Sequence, residues 1–137
     1  MRVAFASDDE NETTRAVVSA LTEDGHQIIR PDSGPGWPDL GRFVGQSVVD
    51  GRADYGVVMC WTGTGTAIAA NKVPGVRAAL AWDPWIAKGA RLWNDANVLA
   101  MSLKRLAPDV AVEVLRAFLA TPDPDPDEAA NIAAVEQ

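Results

Sequence analysis

Short apolar runs alternate along this chain with longer stretches in which apolar residues recur every three or four positions. The runs read as strands and the periodic stretches as helices. Arg2 to Ala6 is an apolar run that exits into Ser7-Asp8-Asp9, a strand carrying carboxylates at its C-terminal end. From Asn11 to Glu23, Ala16, Val17, Ala20 and Leu21 share one helical face, and Asp24-Gly25 ends it. Gln27 to Ile29 predicts a second strand and Pro31 to Gly36 a loop. Pro38 then opens a helix whose apolar face is Leu40, Phe43, Val44 and Val48. Asp54 to Met59, Val76 to Trp82 and Asn97 to Met101 are the third, fourth and fifth strands. Between them a small-residue helix runs from Ala67 to Asn71. Asp83-Pro84, an N-cap followed by proline, launches another helix to about Trp93. Pro108 to Leu119 is amphipathic through Val110, Val114, Leu115 and Phe118.

Strands alternating with helices argue an α/β fold: one domain with a doubly wound, five-stranded parallel sheet and helices on both faces. Right-handed crossovers then bring all strand C-termini to one edge, and Asp8, Cys60 and Asp83 belong to it. The domain spans residues 1–120. Residues 121–137 add an acidic, proline-rich linker, Thr121 to Glu128, and an alanine-rich tail that predicts a short helix.

The stretch Val57 to Lys72 carries the densest chemistry. A buried strand leads to Cys60, then to a Thr-Gly loop, then to a helix start. Such a junction presents backbone N–H groups and a positive helix end to an anion. Thr62-Gly63-Thr64-Gly65 has neither the Gly-x-Gly-x-x-Gly spacing of a dinucleotide fingerprint nor the Gly-Lys-Ser/Thr ending of a P-loop. Taken alone, Cys60 is open to two readings: a small buried hydrophobe, or a nucleophile or base beside a helix end that favours a thiolate.

Cys60-x-Thr62-Gly63-x-Gly65-x-x-Ile68-Ala69-Ala70-Asn71-Lys72 resembles the signature of the ribose-5-phosphate isomerase B family, which includes the galactose-6-phosphate isomerase subunits. Asn94-Asp95-Ala96-Asn97-Val98-Leu99 resembles a second family segment, and Val3 to Asp8 resembles its first strand. The resemblance covers nearly the whole chain, most weakly at the C-terminus. It implies a Rossmann-like fold and an aldose–ketose isomerase acting through an enediolate, with Cys60 as the base and Thr62 in the catalytic loop. It further implies an anion hole at Gly63, Thr64, Gly65 and Thr66, and sugar contacts from Asp8 and Asn94. It also implies a homodimer or a dimer of dimers in which a C-terminal helix reaches the partner's site. From the residues alone, Thr62 and Asn94 read equally as loop caps and Asp8 as a solvated acid.

The chain departs from the family pattern at the positions that grip phosphate. Asp9 stands where the family has histidine, and a second carboxylate there repels a phosphate. Trp93 stands where the family has its ring-opening histidine, and indole has no nitrogen that titrates near neutrality. Trp61 replaces a small residue after the base. The segment from Pro124 to Glu128 has no arginine, where the family has phosphate-binding arginines. Asp9, Trp61 and Trp93 therefore join the expected substrate-binding set, and the substrate expected is a non-phosphorylated or otherwise unusual sugar-like compound. The alternatives are a ligand-binding protein on an isomerase scaffold, and a related epimerase or tautomerase.

Composition narrows the partners. At 137 residues and 47% hydrophobic, the chain can bury a real core. A net charge of −7 argues against a nucleic-acid backbone as ligand. No apolar stretch is long enough for a membrane helix, acid follows the N-terminus too soon for a signal peptide, and one cysteine allows no disulfide framework. A cytoplasmic protein is expected. One histidine, His26, and one cysteine give no metal cluster. Neither metal nor cofactor is expected. Five tryptophans, Trp37, Trp61, Trp82, Trp85 and Trp93, are a heavy load, read either as core and dimer burial or as a stacking pocket.

Overall fold

A computed structural model describes residues 1–32 and 36–136; Ser33 to Pro35, within the expected loop, and Gln137 lie outside the described residues. The elements follow in order: β1 (Arg2–Ser7), α1 (Glu12–Glu23), β2 (Gln27–Ile29), α2 (Trp37–Val49), β3 (Tyr55–Cys60), α3 (Thr64–Asn71), β4 (Ala78–Leu80), α4 (Pro84–Asn94), β5 (Val98–Ser102), α5 (Pro108–Leu119) and, after a 3₁₀ turn at Pro126–Glu128, α6 (Ala129–Val135). All strand pairs are parallel, and the sheet order is β2-β1-β3-β5-β4. The chain winds outward from β1 to β2 and then returns to the other side of β1 with β3. The crevice beyond the C-terminal ends of β1 and β3 is thus the topological switch point, where open α/β sheets bind ligands.

The strand pleat sorts side chains into two cores. Val3, Phe5, Val57, Met59, Leu99 and Met101 face one layer, built from α1, α4 and α5. Ala4, Ala6, Val58, Val98 and Ala100 face the other, built from α2 and α3. Residues in this second layer are smaller because α2 and α3 lie close together. A methyl group added at Gly41 would stand 2.8 Å from both Ala69 Cβ and the Thr66 carbonyl oxygen. That close approach fixes the first turn of α3 from below.

Local signals account for most boundaries. Asn11 and Thr14 form a reciprocal capping box at the start of α1, and Asp83 accepts from the Ile86 N–H at the start of α4. Two expectations are corrected. The helix expected from Ala67 begins at Thr64, three residues earlier, so the Thr-Gly stretch is largely helical first turn rather than loop. The fourth strand, expected from Val76 to Trp82, is only Ala78 to Leu80. It is an edge strand, and the Asn71 side chain both accepts from the Ala78 N–H (2.7 Å) and donates to its carbonyl (2.9 Å). One amide thus satisfies the outward groups that a neighbouring strand would pair, a device that blunts a sheet edge. Trp82 emerges exposed instead of ending a strand.

Candidate active site

β3 delivers Cys60 as its last residue, with its side chain 5% exposed. Two donors converge on the sulfur: the Gly63 N–H at 3.2 Å and the Thr66 hydroxyl at 3.3 Å. Gly63 can offer its N–H because it sits at φ 80°, where a side chain is disfavoured. A methyl group there would also fall 2.6 Å from Leu80 Cδ1 and 2.8 Å from the Met101 carbonyl carbon. Thr66 is fully buried, and its hydroxyl has no partner other than this sulfur and the Gly63 carbonyl at 3.4 Å. Both donors make the sulfur a hydrogen-bond acceptor. The backbone on either side is tied to β5: Leu103 N–H donates to the Cys60 carbonyl (3.0 Å), and the Ser102 hydroxyl donates to that of Trp61 (2.5 Å).

The sulfur borders a hollow of about 280 Å³ lined by Asp8, Trp37, Trp61, Thr62, Thr64 and Gly65. Asp8 reaches it from the end of β1, across the switch point. The Asp8 carboxyl is pushed above its ordinary value of 3.8, first by desolvation and then by the charge of Asp9 beside it. The folded state therefore holds this proton more tightly than the unfolded chain, and stability falls as pH rises through the unfolded and then the folded value. Asp8→Asn is expected to raise the thermal midpoint slightly at pH 7 and leave it unchanged near pH 3. Melting curves at the two pH values test this; an equal effect at both would contradict it.

The expected anion hole is refined. The Gly63 N–H is engaged with the sulfur and the Thr64 N–H with the Thr62 hydroxyl (3.3 Å). Gly65 and Thr66, in the first turn of α3, keep N–H groups with no carbonyl four residues back inside the helix. Thr62 is exposed at the mouth, its hydroxyl 2.6 Å from that of Thr64. Trp61 and Asp9 meet there too, the indole N–H donating to the carboxylate at 3.3 Å.

Two neighbours escaped the sequence reading as site residues. Trp37, in the first turn of α2, packs on Gly65, whose added methyl group would lie 3.0 Å from the indole. The Lys104 Nζ stands 4.3 Å from the centre of the Trp61 ring, over its face. No local pattern marks either, since both contacts span more than two dozen residues of chain.

Trp93 and Asn94 are not brought to the sulfur within one chain. Trp93 packs edge-on against Trp85 at 5.5 Å and lines a small notch on α4. Asn94 lines a separate hollow near β4. Asp83, expected on the same sheet edge, serves as the α4 cap. His26 is half-buried far from this edge, its Nδ1 3.3 Å from the N-terminal amine. Among the described residues no group of three or more His, Cys, Asp or Glu could hold a metal ion, and no helix is long and apolar enough to cross a membrane.

The family model described as Ribose/Galactose Isomerase matches residues 3–135. The chain belongs to that family. With it the chain joins the aldose–ketose isomerases. A putative sugar phosphate isomerase of Bacillus subtilis is 38% identical over 127 residues, covering 88% of this chain and 85% of that protein. The ribose-5-phosphate isomerase B of Escherichia coli is 34% identical, covering 75% of this chain and 72% of its own. The solved ribose-5-phosphate isomerase B of Clostridium thermocellum superposes with a TM-score of 0.92 at 30% identity, over 99% of this chain and 95% of that one. Family membership bears out the fold class and the isomerase assignment of the sequence reading.

Proposed function

We propose that the chain isomerises a small sugar-like hydroxy-carbonyl compound with the Cys60 thiolate as the base. The observation that carries this reading is the convergence of the Gly63 N–H and Thr66 hydroxyl on a sulfur at the switch point of the sheet. The thiolate takes the proton from the carbon beside the carbonyl, giving an enediolate and a thiol. The thiol then returns that proton to the neighbouring carbon, so the base is regenerated. The N–H of Gly65, which lines the hollow, faces the charge that develops on oxygen, and the hydroxyl of Thr62 hydrogen-bonds a substrate oxygen. Asp8 and Asp9 accept from sugar hydroxyls.

The mouth favours a non-phosphorylated or already open-chain substrate. Asp8 and Asp9 stand together there, and the neighbouring cation, Lys104, lies over the Trp61 ring. Two relatives are named for phosphorylated sugars: ribose 5-phosphate for the Escherichia coli protein and D-erythrulose 4-phosphate for one of Pectobacterium atrosepticum. The site acts within a homodimer or a dimer of dimers. A second copy supplies Trp93 and Asn94, which lie away from Cys60 in their own chain, and covers the exposed Trp82, Trp85 and Trp93.

Solvent proton exchange in deuterium oxide tests the reaction, with free pentoses, free hexoses and ribose 5-phosphate followed by NMR. Exchange on a free sugar is the expected result. Turnover of ribose 5-phosphate at an ordinary enzymatic rate would overturn the substrate assignment while leaving the base in place. Binding of a sugar with no exchange on any would overturn the reaction.

A further inference from the structure

A hollow of about 640 Å³ lies away from the cysteine. It sits beside the β4 edge, and α6 forms one wall. Most of its lining is apolar: Val73, Pro74, Val76, Ala78 and Val135 among others. One cation enters it, Arg77, whose side chain is 19% exposed. Two faces of that guanidinium are held by the α4–β5 turn: Nε donates to the Asp95 carbonyl at 2.8 Å and Nη2 to its carboxylate at 3.2 Å. Nη1, which also lies 3.5 Å from the Gly75 carbonyl, finds its carboxylate in Glu136, at the end of the tail.

The tail that delivers this carboxylate is weakly attached. α6 has no buried residue. The Glu136 side chain is 41% exposed, and exposed ion pairs contribute little stability. The hollow thus contains a fixed guanidinium, an apolar lining and a carboxylate that can leave at little cost. Val135 and Glu136 line it together, an aliphatic group next to an acid.

We infer that the hollow beside β4 is a second ligand site, for a small aliphatic carboxylate, in which the Glu136 carboxylate is the resident intramolecular competitor for Arg77. The ligand's carboxylate takes Nη1 of Arg77 and its aliphatic body packs on Val73, Pro74 and Val76. Binding therefore releases the end of the tail. Within one chain none of its lining residues borders the sulfur, and Asn94 is the one it shares with the site proposed for the partner's Cys60.

The test is a titration of the full chain with 3-methylbutanoate, followed by amide NMR, on the natural protein and on Glu136→Gln. Saturable shifts are expected at Arg77, Ala78 and the tail, with none at Thr62 to Thr66. Removing the internal competitor should tighten binding by roughly fivefold, the size of an exposed ion pair. Arg77→Gln should abolish binding. Should that variant fail to fold, the Glu136→Gln comparison still decides, because Glu136 lies at the exposed end of the chain. Equal affinity with and without Glu136, no saturation in Glu136→Gln, or shifts confined to the Cys60 loop would each overturn the site. Equal saturation by inorganic phosphate would overturn the aliphatic specificity.

Discussion

Cys60→Ala is expected to lower substrate proton exchange by roughly three orders of magnitude, within the range a positioned base contributes. The argument rests on what remains after the substitution. Asp8 and Thr62 still border the hollow, and the first turn of α3 still presents its N–H groups. Binding should therefore survive while proton transfer does not, so kcat should fall much more than KM changes. Loss of the sulfur leaves the Gly63 N–H without its acceptor, and the buried Thr66 hydroxyl with the Gly63 carbonyl alone, at a cost of about 1–3 kcal/mol. The variant must therefore be shown to be folded by circular dichroism before its rate is read. Thr66→Val separates the two effects, because it keeps the base and removes one of the donors on it. A smaller loss, on the order of tenfold, is expected there. Full exchange activity in folded Cys60→Ala would remove the cysteine from the mechanism, and equal losses in both variants would reduce its role to packing.

What the sequence disclosed follows how local each signal is. The bounds of β2 and α5 are legible to the residue, and α1 to within its cap, because proline, glycine and capping residues act on their own neighbours. The early start of α3 is not legible. Thr64-Gly65-Thr66 has poor helix propensity, and the turn is held by groups distant in sequence: Gly41 beneath it, Trp37 against Gly65, and Cys60 beside Thr66. The short β4 has the same origin, since an apolar run does not reveal that Asn71 will satisfy its edge. Cys60 and Asp8 could be assigned to one edge because parallel topology sends every strand end there. Lys104 could not be assigned to Trp61, because nothing in periodicity fixes where a long side chain lies. Trp93 and Asn94 lie away from Cys60 because they end α4 and lead into β5, whereas Cys60 ends β3; in a parallel sheet these are opposite edges.

Arg91→Leu is expected to destabilise the fold by about 3–5 kcal/mol, the usual consequence of removing one member of a buried charge network. Against a total stability of roughly 5–15 kcal/mol, that is a large fraction. Helical periodicity gives no warning of this, since an arginine in the last turn of a helix ordinarily lies in solvent. Arg91 is 2% exposed and lies over the rings of Tyr55 and Phe118, at 4.9 and 5.8 Å. Its guanidinium donates to the Asp95 carboxylate at 2.8 Å and the Ala96 carbonyl at 2.6 Å. It also donates to the Thr121 carbonyl at 2.9 Å and to that of Pro122. One side chain thus ties the turn after α4, where Asp95 takes the left-handed conformation at φ 48°, to the acidic linker. Leucine would fill the aromatic cleft but leave those carbonyls without their donor and the carboxylate with Arg77 Nη2 alone. Lysine keeps the charge, yet a single ammonium cannot span both the turn and the linker, so Arg91→Lys should recover only part of the loss. Thermal melts should show a fall of about 10 °C or more in Arg91→Leu, and cleavage within residues 121–128 should accelerate as the linker lifts. A melting point within a degree or two of the natural protein in Arg91→Leu alone would mean that the network contributes no more than the hydrophobic contacts that leucine supplies.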